Sequence, residues 1–213
     1  MKKIILTAIL VLFAVNLYSQ NTYKTGFAPE LSMNVKFGAK FSLNTKIESF
    51  FYDEFDGTDF QFVLSYRNSP FSSFAAGYQY SLKHNKPDNH RVIQQLSLLQ
   101  RLGSINLNHR FRTDQTFYND DPFKFRVRYR LSSEVPFSGR TLDPNELYLI
   151  LSDEVIYGRQ DSTNEFENRV VSAVGYYFAN KSKFQLGFDY RLNFKNDKTD
   201  NRLIFKVAYF ISL

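Results

Sequence analysis

The stretch FKFRVRYRLSSEV, residues 123–135, decides the fold class, because apolar and cationic side chains alternate without a break from Phe123 to Leu131. One parity carries the apolar residues Phe123, Phe125, Val127, Tyr129 and Leu131. The other carries the cations Lys124, Arg126, Arg128 and Arg130. A period of two is typical of a β-strand, whose successive side chains point to opposite faces. Such a strand would suit a soluble sandwich with its cations in water, a nucleic-acid interface, or a membrane barrel with its aromatics in lipid and its cations in the lumen.

The same alternation recurs along most of the chain. Nine further stretches show it, at residues 39–52, 59–67, 74–83, 90–102, 104–118, 146–157, 165–178, 183–195 and 202–213. Most are longer than the roughly 5–6 residues of an average soluble strand, and they match the about 9–11 residues with which a tilted strand crosses a bilayer. The pattern therefore predicts an all-β, transmembrane, antiparallel up-and-down β-barrel of about ten strands.

Two stretches leave the strand count open. Residues 90–102 alternate less strictly and have a short helix as their alternative interpretation. Residues 21–37 fit a partial strand, a periplasmic tail or one half of an extra hairpin, so that twelve strands are the alternative count. With an even number of strands, both chain termini are expected on the periplasmic side. The connection Pro136–Asn145 is long for a periplasmic turn under that arrangement.

The N-terminal residues MKKIILTAILVLFAVNLYSQ have the features of a secretory signal peptide. Lys2 and Lys3 precede an apolar segment that runs from Ile4 to Val15, which is too short to span a membrane. We expect cleavage before Gln20, so that residues 1–19 are removed and residues 20–213 form a single barrel domain. The chain has no Cys, which excludes both a lipoprotein anchor and a disulfide framework. The predicted location is the outer membrane, with its lipid as a partner.

Composition supports an alternating chain and argues against a nucleic-acid partner. Mean hydropathy is negative, although aromatic residues make up 17% of the chain, with 23 Phe and 14 Tyr. A polar average and a high aromatic content are compatible if apolar and polar residues occupy alternate positions. The formal net charge of +6 is modest. The aromatics also take the parity opposite to the cations, whereas base stacking between phosphate contacts needs both on one face. We therefore expect no nucleic-acid partner.

Charged residues of the inward parity are the candidate site. The predicted lumen-facing network comprises Arg110, Arg112, Asp114, Lys124, Arg126, Arg128, Arg130, Glu134, Glu154, Glu167, Arg169, Asp189 and Arg191. A barrel of this size has a lumen little wider than its side chains, and charges there are costly unless paired. The first hypothesis is a salt-bridged lumen in a structural or adaptor barrel. When the further inward residues Lys46, Glu48, Arg67, Arg202 and Lys206 are added, basic residues outnumber acidic ones twelve to six. The alternative is therefore a small anion-favouring channel or ligand-binding barrel.

An enzymatic function has weaker support in the sequence, and we expect no catalytic residues, metal or cofactor. The three histidines are His84, His90 and His109. The first two flank a predicted loop beside Asp88. A histidine paired with this carboxylate could take part in hydrolysis, so a barrel hydrolase is the remote alternative. No metal-binding spacing of His and Cys, phosphate-binding Gly-rich loop or GxSxG motif is present in the sequence.

Several segments together resemble an uncharacterised family. NHRFRTDQTF (108–117), FRVRYRLSSEVPF (125–137), the strand around Glu154, FENRVVSAVGYYF (166–178) and the closing strand are similar to domain-of-unknown-function family 2490. The resemblance implies a secreted protein of Gram-negative bacteria with outer-membrane-barrel character, and it implies no activity or catalytic residues. The final stretch NRLIFKVAYFISL is also typical of the last strand of outer-membrane proteins, which predicts recognition by the barrel-assembly machinery.

Overall fold

The computed structural model describes residues 22–213 except residues 104, 120, 140, 196 and 197, and the predicted signal peptide lies outside this range. Its elements are the strands β1 Thr22–Phe37, β2 Phe41–Phe51, β3 Phe55–Ser69, β4 Ser72–Lys83, β5 Asn89–Leu102, β6 Ile105–Tyr118, β7 Lys124–Pro136, β8 Glu146–Gln160, β9 Thr163–Tyr177, β10 Lys183–Lys195 and β11 Lys198–Ser212. Among the described residues there is no helix long and apolar enough to cross a bilayer.

The eleven strands close into one barrel in chain order, which confirms the predicted all-β barrel. Each strand pairs antiparallel with the next along the chain. The closing pair is different, because β1 and β11 run parallel in a register that extends from Thr22 opposite Asp200 to Asn34 opposite Ser212. Beyond this register the Leu213 N–H donates to the Asn34 carbonyl at 2.9 Å, so the last residue of the chain still takes part in the closure.

The strand number is eleven, where the alternation predicted about ten with twelve as the alternative. The additional strand is β1, which forms from the stretch whose role the sequence left undecided. An odd number forces a parallel closing pair, so the start of β1 and the end of β11 lie at opposite ends of the barrel. The expectation that both termini share one end is therefore wrong. Residues 90–102 belong to strand β5, not to a helix.

The alternation separates the barrel into an apolar exterior and a charged interior. We call the outward-pointing apolar side chains the exterior aromatic face. Large members that are at least one-third exposed include Phe27, Phe41, Phe62, Phe74, Phe111, Phe125, Val127, Tyr129, Leu151, Phe166, Phe188 and Phe205. Most of the buried residues are polar or charged, among them Glu48, Gln61, Arg112, Asp114, Arg128, Glu154, Glu167 and Asp189. Arg, Glu and Asp side chains are rarely buried unless they are paired, so the partners of these residues are decisive.

Candidate functional site: an arginine cluster in the barrel lumen

Strands β6 and β7 place several guanidinium groups side by side in the lumen. Their register sets Arg110 opposite Arg130 and Arg112 opposite Arg128. Like charges that face each other across two strands destabilise a sheet unless carboxylates lie between them. The ion pairs around these residues therefore decide what the lumen can do.

Asp114 is the first carboxylate that neutralises these cations. It is fully buried, and its Oδ1 atom accepts from the Arg112 Nε at 2.5 Å. Its Oδ2 atom lies 3.0 Å from the Arg128 Nη1 and 3.5 Å from the Arg126 Nη2. One carboxylate thus serves three guanidinium groups, which is the charge-assisted geometry that offsets the cost of burying it.

Glu154 on β8 is the second carboxylate. Its Oε1 atom accepts from the Arg110 Nη2 at 2.5 Å, and its Oε2 atom accepts from the Arg128 Nη2 at 2.6 Å. Because Arg128 also binds Asp114, strands β6, β7 and β8 are joined by one continuous chain of ion pairs.

Two further arginines in this region have no such partner. Arg130 forms no ion pair with any described residue, although its Cα faces that of Glu154 on β8. Arg91 on β5 donates to the neutral oxygens of Gln79 and Thr116, both at 3.2 Å, and likewise forms no ion pair within the described part of the chain. We define the arginine cluster as Arg91, Arg110, Arg112, Arg126, Arg128 and Arg130.

The remaining walls of the lumen are close to neutral. Lys206 lies 2.7 Å from Glu48 and 3.2 Å from Glu30, and Lys46 lies 2.7 Å from Glu48. The other predicted network residues form the pairs Arg169–Glu167 at 2.6 Å, Arg191–Asp189 at 2.7 Å, Lys183–Glu134 at 2.6 Å and Lys124–Glu165. The excess positive charge is therefore concentrated on the wall formed by β5, β6 and β7.

A cavity of about 930 Å³ lies inside the barrel and is bordered by the whole arginine cluster. Ten of the thirteen predicted network residues line it, and the others, Asp114, Lys124 and Glu167, pair with residues of the lumen wall. The Arg112 Nη1 donates to the Gln61 Oε1 of β3 at 3.4 Å, and the Arg191 guanidinium lies 5.4 Å from the ring centre of Phe50 on β2. Side chains from distant strands therefore meet within the lumen.

Sequence reasoning missed several members of this site. Arg91 lies on β5, whose inner face also carries the apolar Ile93, so the alternation there gives a weak signal. Glu30 lies in β1, the stretch of undecided role. Glu165 pairs with Lys124 and Asp59 lines the cavity, and both lie in the first third of their strands. The parity of Glu165 with Glu167 and of Asp59 with Gln61 was the signal that could have revealed these two residues.

The histidines do not form a recognisable hydrolytic set within the described residues. His90 is exposed and hydrogen-bonds the Tyr78 hydroxyl, and His109 lies on the outer face and contacts the Tyr129 hydroxyl at 2.9 Å. Asp88 accepts from the Tyr80 hydroxyl at 2.5 Å, a hydrogen bond that lowers the pKa of this loop carboxyl. The described residues also include no group of three or more His, Cys, Asp or Glu side chains that could hold a metal ion.

Comparison with known proteins gives one match. A family model described as "Protein of unknown function (DUF2490)" matches residues 26–203, which span β1 to β11 and include the whole arginine cluster. No curated protein and no solved structure matches the chain.

Proposed function

Because the chain belongs to the DUF2490 family of proteins of unknown function, we propose its function from the barrel itself. The protein is an outer-membrane barrel whose lumen is cross-linked by ion pairs, and it acts as a structural or adaptor barrel that does not conduct solutes. It carries out no catalysis. The observation that carries this proposal is the combination of an apolar exterior with ion pairs that join strands around and across the lumen.

The exterior aromatic face supports a membrane location. Monomeric soluble proteins rarely expose contiguous apolar patches larger than a few hundred Å². Here large apolar side chains point outward from every strand of the barrel, and Phe62, Phe74 and Phe188 are each at least half exposed. Closure of the barrel also gives every strand a hydrogen-bonded neighbour on both sides, so that no sheet edge is left for a lipid environment.

The ion pairs support a lumen that is closed to the passage of solutes. Asp114 and Glu154 connect three strands, and the contact between Arg112 and Gln61 reaches from β6 to β3. Paired charges with short contacts resist displacement, since breaking a buried pair leaves an uncompensated charge. A barrel closed in this way can present its ends to partners without passing solutes.

The test combines membrane fractionation with conductance of the refolded protein. We expect the protein in the outer-membrane fraction, with folded and boiled samples that migrate differently on gels. In planar bilayers we expect no conductance above background in chloride, sulfate or phosphate. Recovery of a detergent-free soluble protein from the periplasm would contradict the membrane location. Stepwise single-channel currents would contradict the closed lumen.

We further propose that the barrel-assembly machinery recognises strand β11. Phe205 is exposed on the outward parity of this strand, Tyr209 shares that parity, and the exposed Leu213 follows the end of the strand. Removal of residues 210–213 should sharply reduce the amount of heat-modifiable barrel in the outer membrane. If the shortened chain reaches full-length abundance there, recognition does not depend on this segment.

A further inference from the structure

The arginine cluster carries more positive charge than the carboxylates around it neutralise. Six guanidinium groups lie on adjacent strands, and only Asp114 and Glu154 form ion pairs with them among the described residues. Arg126 reaches Asp114 only at 3.5 Å. A structural cross-link alone would need matched charges, as found at Arg169–Glu167 and Arg191–Asp189 on the neighbouring wall.

Individual hydrogen-bond donors in the cluster are also unsatisfied. The Nε–H groups of Arg110, Arg126, Arg128 and Arg130 are buried and donate to no acceptor within the described residues. Arg130 combines both features, since it lacks an ion pair and stands directly opposite Arg110. Burying a guanidinium under these conditions destabilises the barrel, and an anion with several oxygen acceptors would remove that cost.

The cavity next to the cluster is lined by neutral polar side chains as well as by charged ones, and its carboxylates Glu30, Glu48 and Asp189 each pair with a cation of the lumen wall. Asn106 and Asn108 continue the inner face of β6 beyond Arg110, and Ser132 follows Arg130 on β7. Asn34 and Asn44 lie on β1 and β2, and the amide of Asn44 donates to the Ser32 hydroxyl at 3.1 Å. Amides and hydroxyls of this kind hydrogen-bond the hydroxyl groups of sugars. The volume of about 930 Å³ lies within the range of small-molecule sites, about 300–1,000 Å³.

We propose that the lumen binds a phosphorylated sugar, whose phosphate groups lie against Arg130 and the other arginines of the cluster and whose hydroxyl groups face the asparagines and serines. One guanidinium group can donate two parallel hydrogen bonds to two oxygens of a phosphate. Chloride offers no such pair of acceptors, so the cluster should favour phosphate over chloride. The site lies in the lumen, so it does not depend on whether lipid or water surrounds the exterior aromatic face. If sugar phosphates do not bind, the proposed membrane location is unaffected. If the protein is not in the membrane, the proposed binding site is unaffected.

The experiment titrates the full-length refolded barrel with fructose 1,6-bisphosphate, inorganic phosphate and fructose, by calorimetry and by thermal unfolding. Fructose 1,6-bisphosphate should raise the unfolding temperature by about 5 °C or more at one hundred times its dissociation constant. Inorganic phosphate should act more weakly, and fructose should have no effect. Equal responses to the bisphosphate and to chloride of the same ionic strength would overturn the proposal.

The variant Arg130→Gln separates binding from structural support. It removes a cation that forms no ion pair with the described carboxylates and that opposes Arg110, so the empty barrel should be at least as stable as the wild type. Its affinity for fructose 1,6-bisphosphate should fall about tenfold or more. Arg159→Gln, in an exposed position at the end of β8, is the matched control and should bind as the wild type does. An unchanged affinity in Arg130→Gln would overturn the assignment of the site.

Discussion

Asp114 is the residue whose surroundings best explain the interior of this barrel. It has no exposed surface, and three guanidinium groups lie within 3.5 Å of its oxygens. A buried carboxylate is costly by itself, and so is each buried guanidinium. Together they form a set in which each charge is tolerated only because the others are present.

Asp114→Asn should destabilise the barrel by about 3–5 kcal/mol, because Arg112, Arg126 and Arg128 then keep their charges and lose a shared partner. The measurement is the unfolding of the refolded protein in urea. Circular dichroism monitors it, because the chain has no Trp whose fluorescence could be used. Asp53→Asn, in the exposed turn between β2 and β3, is the control and should unfold as the wild type does. A loss below about 1 kcal/mol in Asp114→Asn would mean that the cluster does not depend on this carboxylate.

The sequence identified the faces on which charged residues lie but not their partners. Alternation is a property of one strand, so it assigned Asp114, Arg128 and Glu154 to the same side of their strands. Which of them come into contact depends on the register between β6, β7 and β8. Register follows from the whole closed sheet, which no single stretch of sequence records.

At the scale of the elements, β1 determines the topology. Its residues include Gly26 and Pro29, which are both unfavourable in the interior of a strand. Pro29 lacks an N–H and cannot donate to a neighbouring strand, so its presence in the sequence argued against a strand at this position. Strand β1 nevertheless pairs with both β2 and β11, and its inclusion changes the strand number from even to odd and the closure from antiparallel to parallel.

The parallel closure can be tested with introduced cysteines, since the chain has none of its own. Thr25 faces Leu203 and Asn34 faces Ser212 in the closing pair. The double variants Thr25→Cys/Leu203→Cys and Asn34→Cys/Ser212→Cys should both form intramolecular disulfides after mild oxidation, as seen by gel mobility with and without reductant.

Both cross-links are needed for this conclusion, because an antiparallel arrangement could bring at most one of the two pairs together. Thr25→Cys/Ser212→Cys is the matched control, since these residues lie far apart along the parallel register. A cross-link in the control, or in only one of the two test pairs, would contradict the parallel pairing of β1 and β11.

At the scale of the whole molecule, each strand contributes one face to the barrel exterior and the other face to the lumen. Outward residues build the exterior aromatic face, and inward residues build a charged lumen with an excess of arginine on one wall. Lipid would stabilise the first arrangement, and the ion pairs together with a bound anion would stabilise the second. Strand β7 shows both in alternation, with Phe125, Val127 and Tyr129 outside and Arg126 and Arg128 inside.

The most direct test of an apolar exterior in lipid and a charged lumen is the collision accessibility of single spin labels in the protein refolded into lipid bilayers. Labels replace Phe125, Val127 and Tyr129 on the exterior and Ser132 and Ser152 in the lumen, one at a time. We expect the three exterior labels to collide with lipid-dissolved oxygen and to be shielded from a water-soluble nickel chelate, whereas the two lumen labels should be shielded from oxygen. Strong collisions of all three exterior labels with the nickel chelate would contradict it.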